Sequence, residues 1–307
     1  MNAVENSSLA SAIRTLAAEK HAVILAHYYT EAAVQEVADF VGDSLALAQY
    51  AATTDARIIV MCGVHFMGET CSVLCPDRKV IVPDLAATCS LAESCPADDF
   101  AKFVAQHPDH TVISYVNTTA AVKALTDIVV TSSNAQRIVD SLPKDEKIIF
   151  GPDQNLGSYI NAVTGRDMVL WPGACHVHSR FSVEGIIDLK QQHPEALVLA
   201  HPECKSTVLA LADKVGSTAA LLHFAQQSEA REFIVVTESG ILHEMQKTCP
   251  DKEFIPAPPE LSEETRGCHC NECVYMRMIT LQKVYDSLLN ESPIVKVDEP
   301  TAQRAVK

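Results

Sequence analysis

The chain has 307 residues, 48% of them hydrophobic, and a formal net charge of −15. This length allows about two or three domains with their own hydrophobic cores. The negative charge repels phosphate backbones, so the composition argues against nucleic-acid binding. Because the first residues are polar and no apolar run is long enough to cross a bilayer, we expect neither a secretory signal nor a membrane protein. Eleven cysteines without such a signal predict a reducing, cytoplasmic location, where cysteines serve as thiols, metal ligands or catalytic groups.

Short apolar strands alternate with helical segments along the chain. In the first third we predict helices at 9–20, 31–38, 45–52 and 89–106, and strands at 22–26, 40–41, 57–61 and 79–82. In the middle third we predict a helix at 133–142 and strands at 111–114, 128–130, 147–150 and 168–170. In the last third we predict helices at 219–227 and 274–289, strands at 196–200, 214–215, 232–236 and 253–255, and a loosely held tail from about residue 290. Such alternation is typical of parallel sheets with right-handed crossovers.

The same landmarks recur three times in this pattern. Each copy has a first strand with polar residues at its end, then an aspartate at one fixed spacing and a hydroxyl residue at another. The aspartates are Asp39, Asp127 and Asp213, and the hydroxyl residues are Ser44, Ser132 and Thr218. The repeat predicts an α/β fold of three similar Rossmann-like domains with small parallel sheets, at 1–108, 109–194 and 195–307. We expect pseudo-threefold symmetry to relate them around a central cluster site.

One cysteine per copy follows a strand that ends in proline. These cysteines are Cys89, Cys175 and, after a longer loop, Cys273. Three thiolates from separate units suit zinc with a fourth ligand, or an iron–sulfur cluster with one iron left open. A lone cysteine is usually a small buried apolar residue, which fits Cys62 and Cys249, but the matching positions favour ligands here. His176 and His178 follow Cys175 closely, and either could donate a hydrogen bond to a cluster sulfur.

Two local groups of cysteines compete with this three-copy site. Cys71 and Cys75 have metal-like spacing, as do Cys268, Cys270 and Cys273. No second pair stands at the spacing of a zinc ribbon, so we favour the three-copy site over a local one. From spacing alone, Cys268 or Cys270 could replace Cys273 as the third ligand.

Polar residues at the strand ends form a second candidate set. In parallel sheets, ligands bind beyond the carboxyl ends of the strands. The first strands end at His27 with Tyr29, at Tyr115 with Asn117, and at His201 with Glu203. Residues of different types at one matched position indicate a shared cavity rather than packing, and Glu203 is a candidate general base. The three hydroxyl residues are either ordinary helix N-caps or anion ligands at helix starts, whereas the unchanging aspartates indicate a structural role.

At these residues the chain resembles the quinolinate synthase family, the iron–sulfur enzymes of NAD biosynthesis also called NadA. The resemblance covers almost the whole chain. It includes the motifs that contain His27 with Tyr29, Ser44, Tyr115 with Asn117, Ser132, the segments 151–157 and 171–178, His201 with Glu203, Thr218, and Cys273. This family has three similar α/β domains around a [4Fe–4S] cluster held by three cysteines, one from each domain.

The resemblance implies a reaction and a set of site residues. It implies that iminoaspartate (iminosuccinate) condenses with dihydroxyacetone phosphate to give quinolinate, with loss of phosphate and two waters. L-aspartate oxidase would supply the unstable imine. By matching motif, the cluster ligands would be Cys89, Cys175 and Cys273. The third ligand would be Cys273 rather than Cys268 or Cys270, because the residues after Cys273 match those that follow the third ligand in the family. The substrate contacts would be His27, Ser44, Tyr115, Asn117, Ser132, His201, Glu203 and Thr218, and the catalytic residues would be Glu203, His201 and Tyr29.

Two other interpretations remain open at this stage. Diphosphate reductases of isoprenoid synthesis also place three cluster cysteines on three α/β units, but they lack the strand-end motifs seen here and need electrons. A zinc or iron–sulfur scaffold without catalysis would not need so many polar strand ends.

Overall fold

The structure is a computed structural model that describes residues 3–260 and 271–306. Its residues form two compact units. Unit 1 comprises Met1–Ala97, Val116–Thr126 and Val274–Lys307, and unit 2 comprises Asp98–Tyr115 and Asp127–Cys273. Among the described residues, no helix combines the length and the apolar character that a bilayer crossing requires.

Helices and strands alternate in chain order. The first stretch contains α1 (Ala3–Glu19), β1 (Ala22–His27), α2 (Ala32–Val37), β2 (Phe40–Gly42), α3 (Ser44–Thr53), β3 (Ile58–Cys62), α4 (His65–Leu74), β4 (Lys79–Ile81), α5 (Ser90–Glu93) and α6 (Ala97–Ala105). The second contains β5 (Thr111–Tyr115), α7 (Ala120–Lys123), β6 (Ile128–Val130), α8 (Ala135–Ser141), β7 (Ile148–Gly151), α9 (Gln154–Thr164), β8 (Val169–Leu170) and α10 (Val183–Gln192). The third contains β9 (Leu197–Ala200), α11 (Ser206–Leu209), β10 (Lys214–Val215), α12 (Thr218–Gln227), β11 (Glu232–Val236), α13 (Ile241–Thr248), β12 (Glu253–Pro256), α14 (Leu281–Asn290) and α15 (Glu299–Ala305).

The strands form three four-stranded sheets with one shared strand order. The orders are β2-β1-β3-β4, β6-β5-β7-β8 and β10-β9-β11-β12. All strand pairings within these sheets are parallel. This confirms the predicted fold class, with three similar Rossmann-like sheets. In this order the second strand lies on one side of the first strand and the third strand lies on the other side, and ligands bind beyond the carboxyl ends of the strands at this switch point. Unit 1 contains the first sheet, and unit 2 contains the other two.

The first strand of each sheet is held by the repeated aspartate. Asp39 Oδ2 accepts a hydrogen bond from the Ile24 amide at 2.8 Å, while the Asp39 amide donates to the Ile24 carbonyl at 2.8 Å. Asp127 forms the same pair of bonds with Val112, and Asp213 forms it with Val198. The structure therefore confirms the predicted structural role of these aspartates.

Helices α6, α10 and α14 each pack against elements of another copy of the repeat. In unit 2, Phe100 and Phe103 of α6 contact Trp171, which follows β8. Ile186 of α10 lies in the core that contains Val198 and Ile234 of the third sheet. In unit 1, α14 contacts helices α1 and α2 and also strand β3 of the first sheet. The domain boundaries after residues 108 and 194 stay a prediction.

Three sequence-based predictions of secondary structure were wrong. The predicted helix at 89–106 is two helices, α5 and α6, because Pro96 lacks the amide that a continuous helix needs. The helix predicted from residue 274 begins only at Leu281, after a short 3-10 turn at Met276–Met278. The tail is not loosely held, because Ile294 pairs with Ile81 of β4 and Val295 is buried.

Candidate functional site

The first strand of unit 1 ends in a pair of aromatic residues held by their own turn. His27 is the last residue of β1 and is buried. Its Nδ1 accepts a hydrogen bond from the Tyr29 amide at 3.1 Å, and the two rings meet edge to face at 4.5 Å. Since an amide can only donate, Nδ1 is an acceptor, and the neutral His27 ring carries its hydrogen on Nε2. The turn therefore fixes a donor nitrogen at the end of the strand.

The same turn recurs in unit 2 at the end of β9. There the Glu203 amide lies 3.4 Å from Nδ1 of His201, which corresponds to the contact of 3.1 Å between the Tyr29 amide and His27. The two copies differ in the second residue, which is tyrosine in one and glutamate in the other. The same backbone turn therefore carries a tyrosine in one copy and a glutamate in the other. The sequence predicted such matching positions with side chains of different types and different roles.

A buried polar group surrounds Glu203 in unit 2. We call it the Glu203 cluster, and its members are Tyr115, Cys175, His178, His201 and Glu203. Glu203 Oε2 lies 3.1 Å from His178 Nδ1, and its Oε1 lies 3.7 Å from His201 Nδ1. Tyr115 donates a side-chain hydrogen bond to the same carboxylate. The structure therefore brings together Tyr115, His201 and Glu203, all predicted from the sequence as site residues.

His178 connects this carboxylate to the cysteine. Its Nδ1 lies 3.3 Å from Cys175 Sγ, its Nε2 lies 2.9 Å from Thr237 Oγ1, and its ring stacks on His201 at 4.6 Å. Cys175, His178 and Glu203 each offer a ligand atom, and these atoms lie within 4.8 Å of one another. A thiolate, an imidazole and a carboxylate so close together form a possible metal site in unit 2.

Burial and charge oppose one another at the acidic groups of this region. Burial disfavours the charged form of Glu203, but the imidazoles of His178 and His201 outweigh it, so its pKa lies below the ordinary value. Burial and the nearby Glu203 charge instead raise the pKa of Asp153 above its ordinary value. Glu203 is therefore ionised at neutral pH.

Burial separates the three predicted ligand cysteines from the others. Among the described cysteines, Cys89, Cys175 and Cys273 are partly exposed, whereas the remaining ones are buried. Burial raises the pKa of the thiols of Cys62, Cys71, Cys75, Cys95 and Cys204. Buried thiols of this kind are held in the protonated form, which is a poor metal ligand. Cys268 and Cys270 lie outside the described residues.

The three cysteines also stand in similar local structure. Cys175 and Cys273 each precede a short 3-10 turn, at His178–Arg180 and Met276–Met278, and the two turns begin at the same distance from their cysteines. Cys89 precedes the short helix α5. The described residues that follow the cysteine therefore have similar structure in the second and third copies, and in the third copy the spacing alone left the ligand open.

The predicted hydroxyl residues are not the helix caps. In α3 the cap is Asp43, whose side chain accepts a hydrogen bond from the Ala46 amide, and Ser44 is the first helical residue. In α12 the cap is Ser217, and Thr218 is the first helical residue. Ser132 lies in the turn between β6 and α8. Because the preceding residues cap α3 and α12, the ordinary capping role does not account for Ser44 or Thr218.

Lys123 in unit 1 is a polar group that the sequence analysis missed. It is buried, and its Nζ donates to the carbonyls of Val116 and Thr118, with a third bond to Thr118 Oγ1 at 3.3 Å. These carbonyls flank Asn117, a predicted substrate contact. Burial lowers the pKa of Lys123 to about 7. A single lysine in a four-residue helix has no pattern that would have revealed this contact.

The predicted site residues are divided between the two units. His27, Tyr29, Ser44, Cys89 and Asn117 belong to unit 1, and Tyr115, Ser132, Cys175, His201, Glu203, Thr218 and Cys273 belong to unit 2. That they form one site stays a prediction from the repeat and the family resemblance.

Comparison with known proteins gives one consistent result. The family model described as "NadA: Quinolinate synthetase A protein" matches residues 11–307. A quinolinate synthase from Synechocystis sp. is 54% identical over 299 residues, which cover 97% of this chain and 92% of that protein. A quinolinate synthase from Nostoc punctiforme is 54% identical over 299 residues, covering 97% of this chain and 91% of that protein.

Proposed function

Because this chain belongs to the quinolinate synthetase A family, we propose that it condenses iminoaspartate with dihydroxyacetone phosphate. The products are quinolinate, phosphate and two waters, and the reaction serves NAD biosynthesis. Besides the family match, the observation that carries the proposal is the Glu203 cluster. A buried, ionised carboxylate between two imidazoles beside a ligand-type cysteine suits a reaction that requires repeated proton transfers.

We propose that a [4Fe–4S] cluster is held by Cys89, Cys175 and Cys273. The residues fit this group, since these three are the partly exposed cysteines among the described ones. Three cysteines leave one iron without a protein ligand, and such an iron, when the cluster is bound, acts as a Lewis acid on a substrate oxygen. A zinc ion at Cys175, His178 and Glu203 is the competing interpretation, which iron and sulfide analysis separates from the cluster.

The polar residues at the strand ends would transfer protons and orient the substrates. Glu203 takes up a proton from the substrate, and His201 and Tyr29 assist proton movement at their strand ends. His27, Tyr115, Asn117 and the three hydroxyl residues Ser44, Ser132 and Thr218 orient the carboxylates and the phosphate. This assignment is supported by the His27 and His201 turns and by the capping of α3 and α12 by other residues.

The proposal also implies a supplier and a compartment. Iminoaspartate is unstable, so an aspartate-oxidising enzyme such as L-aspartate oxidase must provide it near the point of use. We expect a reducing, cytoplasmic setting, because the proposed ligand cysteines must stay reduced to hold the cluster.

The test is a product assay on protein purified without oxygen and loaded with iron and sulfide. Iminoaspartate is generated in the assay together with dihydroxyacetone phosphate, and quinolinate and phosphate are both measured. We expect equal amounts of the two products. Failure to form quinolinate, with reduction of an allylic diphosphate by the same protein in the presence of an electron donor, would replace the proposal with the diphosphate reductase function.

A further inference from the structure

Two buried carboxylates occupy matching positions at the ends of third strands. Asp153 lies two residues after β7, and Glu238 lies two residues after β11. Both belong to unit 2, and their exposed fractions are 0% and 1%. A buried charge is costly unless it is paired or hydrogen-bonded, so two of them at one repeat position require an explanation.

Asp153 uses its two carboxylate oxygens for different purposes. Oδ1 accepts from the amides of Asn155 and Leu156, at 2.6 and 3.0 Å, and so caps α9. Oδ2 accepts from the amide of Cys175 at 2.8 Å. The helix cap needs only the first oxygen. The second oxygen binds the backbone of a proposed cluster ligand, 22 residues away in the chain.

Glu238 makes the same two-sided arrangement with a longer side chain. Oε2 accepts from the Gly240 amide at 2.6 Å, and Oε1 accepts from the amide of Cys273 at 3.0 Å. Glutamate is not among the residues preferred at helix caps, so capping does not explain its choice. The two copies differ in residue type but have the same contact, a carboxylate on the amide of the ligand cysteine.

In the first repeat, a main-chain hydrogen bond connects the third strand to the cysteine loop. The matching position there is Val64, two residues after β3. Next to it, the His65 amide donates to the carbonyl of Ala87 at 2.8 Å, two residues before Cys89. In all three repeats, therefore, the end of the third strand is hydrogen-bonded to the loop that carries the proposed ligand.

We propose that Asp153 and Glu238 are positioning residues that hold Cys175 and Cys273 in the conformation that binds the cluster. The inference rests on the proposed cluster. Both carboxyl oxygens of each residue accept hydrogen bonds from backbone amides, and buried hydrogen bonds of this kind are not weakened by competing water. Fixing the cysteine backbone in advance lowers the cost of ordering the loop around the metal. Residues that orient metal ligands typically change metal affinity by about ten- to a hundred-fold when they are replaced.

The test uses Asp153→Asn and Glu238→Gln. Asparagine caps helices as well as aspartate does, so its single acceptor oxygen can still cap α9. Its side-chain NH2 group then faces the Cys175 amide, and because both groups are donors the hydrogen bond to Cys175 is lost. Glutamine makes the same change at Cys273. Asp298→Asn is the matched control, because Asp298 caps α15 through Thr301 and contacts none of the proposed ligands. Wild type and variants are loaded anaerobically, and iron release to a chelator is timed well below the unfolding temperature.

We expect Asp153→Asn and Glu238→Gln to release iron about ten-fold faster or more, with Asp298→Asn unchanged. We also expect the electron paramagnetic resonance signal of the reduced cluster to change in the two variants, which a purely structural loss would not cause. Release at the wild-type rate from both variants, while their circular dichroism shows a folded chain, would overturn the inference. If Asp153→Asn fails to fold, Glu238→Gln decides alone. Wild type that takes up no iron and sulfide would overturn the proposed cluster, and this inference with it.

Discussion

Nδ1 of His178 lies 3.1 Å from Oε2 of Glu203, and both side chains are almost completely buried. The same Nδ1 lies 3.3 Å from Sγ of Cys175. One imidazole therefore links the proposed proton acceptor to a proposed cluster ligand. These contacts restrict the rotation of the Glu203 carboxylate.

Glu203→Gln tests the proposed proton acceptor. Glutamine has nearly the same shape but cannot take up a proton at neutral pH, so kcat/KM for quinolinate formation should fall by about a hundred- to ten-thousand-fold. Iron and sulfide content should stay at the wild-type level. Glu232→Gln is the control, since Glu232 pairs with His193 at the surface. Activity within a factor of two of wild type in Glu203→Gln would remove Glu203 from the mechanism.

Single cysteine replacements test the ligand set. Changing Cys89, Cys175 or Cys273 to alanine should abolish the iron and sulfide of the reconstituted protein, because three thiolates hold the cluster. Cys249→Ala, at a buried thiol, should keep both. Cys268→Ala and Cys270→Ala should also keep them. A cluster retained in Cys273→Ala and lost in either of these two would move the third ligand into the segment 261–270.

Asp213→Ala tests the structural role of the repeated aspartates. The change leaves the Val198 amide without its side-chain acceptor, and the free energy of unfolding should fall by about 1–3 kcal/mol. Urea unfolding of the cluster-free protein measures this loss. Asp188→Ala, at an exposed position of α10, should change stability by less than about 0.5 kcal/mol. Equal effects of the two variants would contradict the role.

The pH dependence of stability should contain a contribution from Glu291 in unit 1. Its carboxylate pairs with Lys79, with Lys20 at 3.0 Å and with Arg57 at 3.8 Å, at the end of α14. The hydrogen bonds from Lys79 and Lys20 lower the pKa of Glu291 to about 2, from an ordinary value of 4.5. A carboxyl group with a lowered pKa stabilises the fold above its unfolded pKa, and the contribution is lost as the pH falls toward its folded pKa.

Thermal unfolding of cluster-free wild type and Glu291→Gln checks this sign. At pH 6 the variant should unfold at a lower temperature than wild type. The difference should shrink as the pH is lowered from about 4.5 toward 2, because wild type then loses the same charge. A difference that stays constant with pH, or grows in acid, would contradict the ion-pair explanation.

Sequence periodicity was enough to predict the three sheets but only about half of the helices between them. The strands are continuous apolar runs, such as β1 and β3, whose buried residues leave a clear pattern. Helices α4 and α9 were not predicted, since their boundaries depend on tertiary contacts and on caps such as Asp153. The break at Pro96 is visible in the sequence, but the apolar spacing on both sides obscured it.

The repeat pattern found the strand-end residues but not their supports. His27, His201 and Glu203 could be predicted because matching positions carry chemically active side chains. Thr237 and Glu238 could not, because their contacts join segments 59 and 35 residues apart in the chain. Lys123 could not, because a single lysine in a short helix forms no pattern. For His178 the sequence predicted a possible hydrogen bond to a cluster sulfur but not its contact with Glu203, which requires two separate chain segments to meet.

Quinolinate formation before and after iron removal tests the central claim most directly. One preparation is loaded anaerobically with iron and sulfide, and half of it is then stripped with a chelator and shown by circular dichroism to remain folded. Both halves receive iminoaspartate and dihydroxyacetone phosphate. We predict that the loaded half forms quinolinate and that the stripped half forms none until iron and sulfide are restored. Equal quinolinate formation by the two halves, or none by a fully loaded protein, would contradict the proposal that this chain is a quinolinate synthase dependent on a cluster.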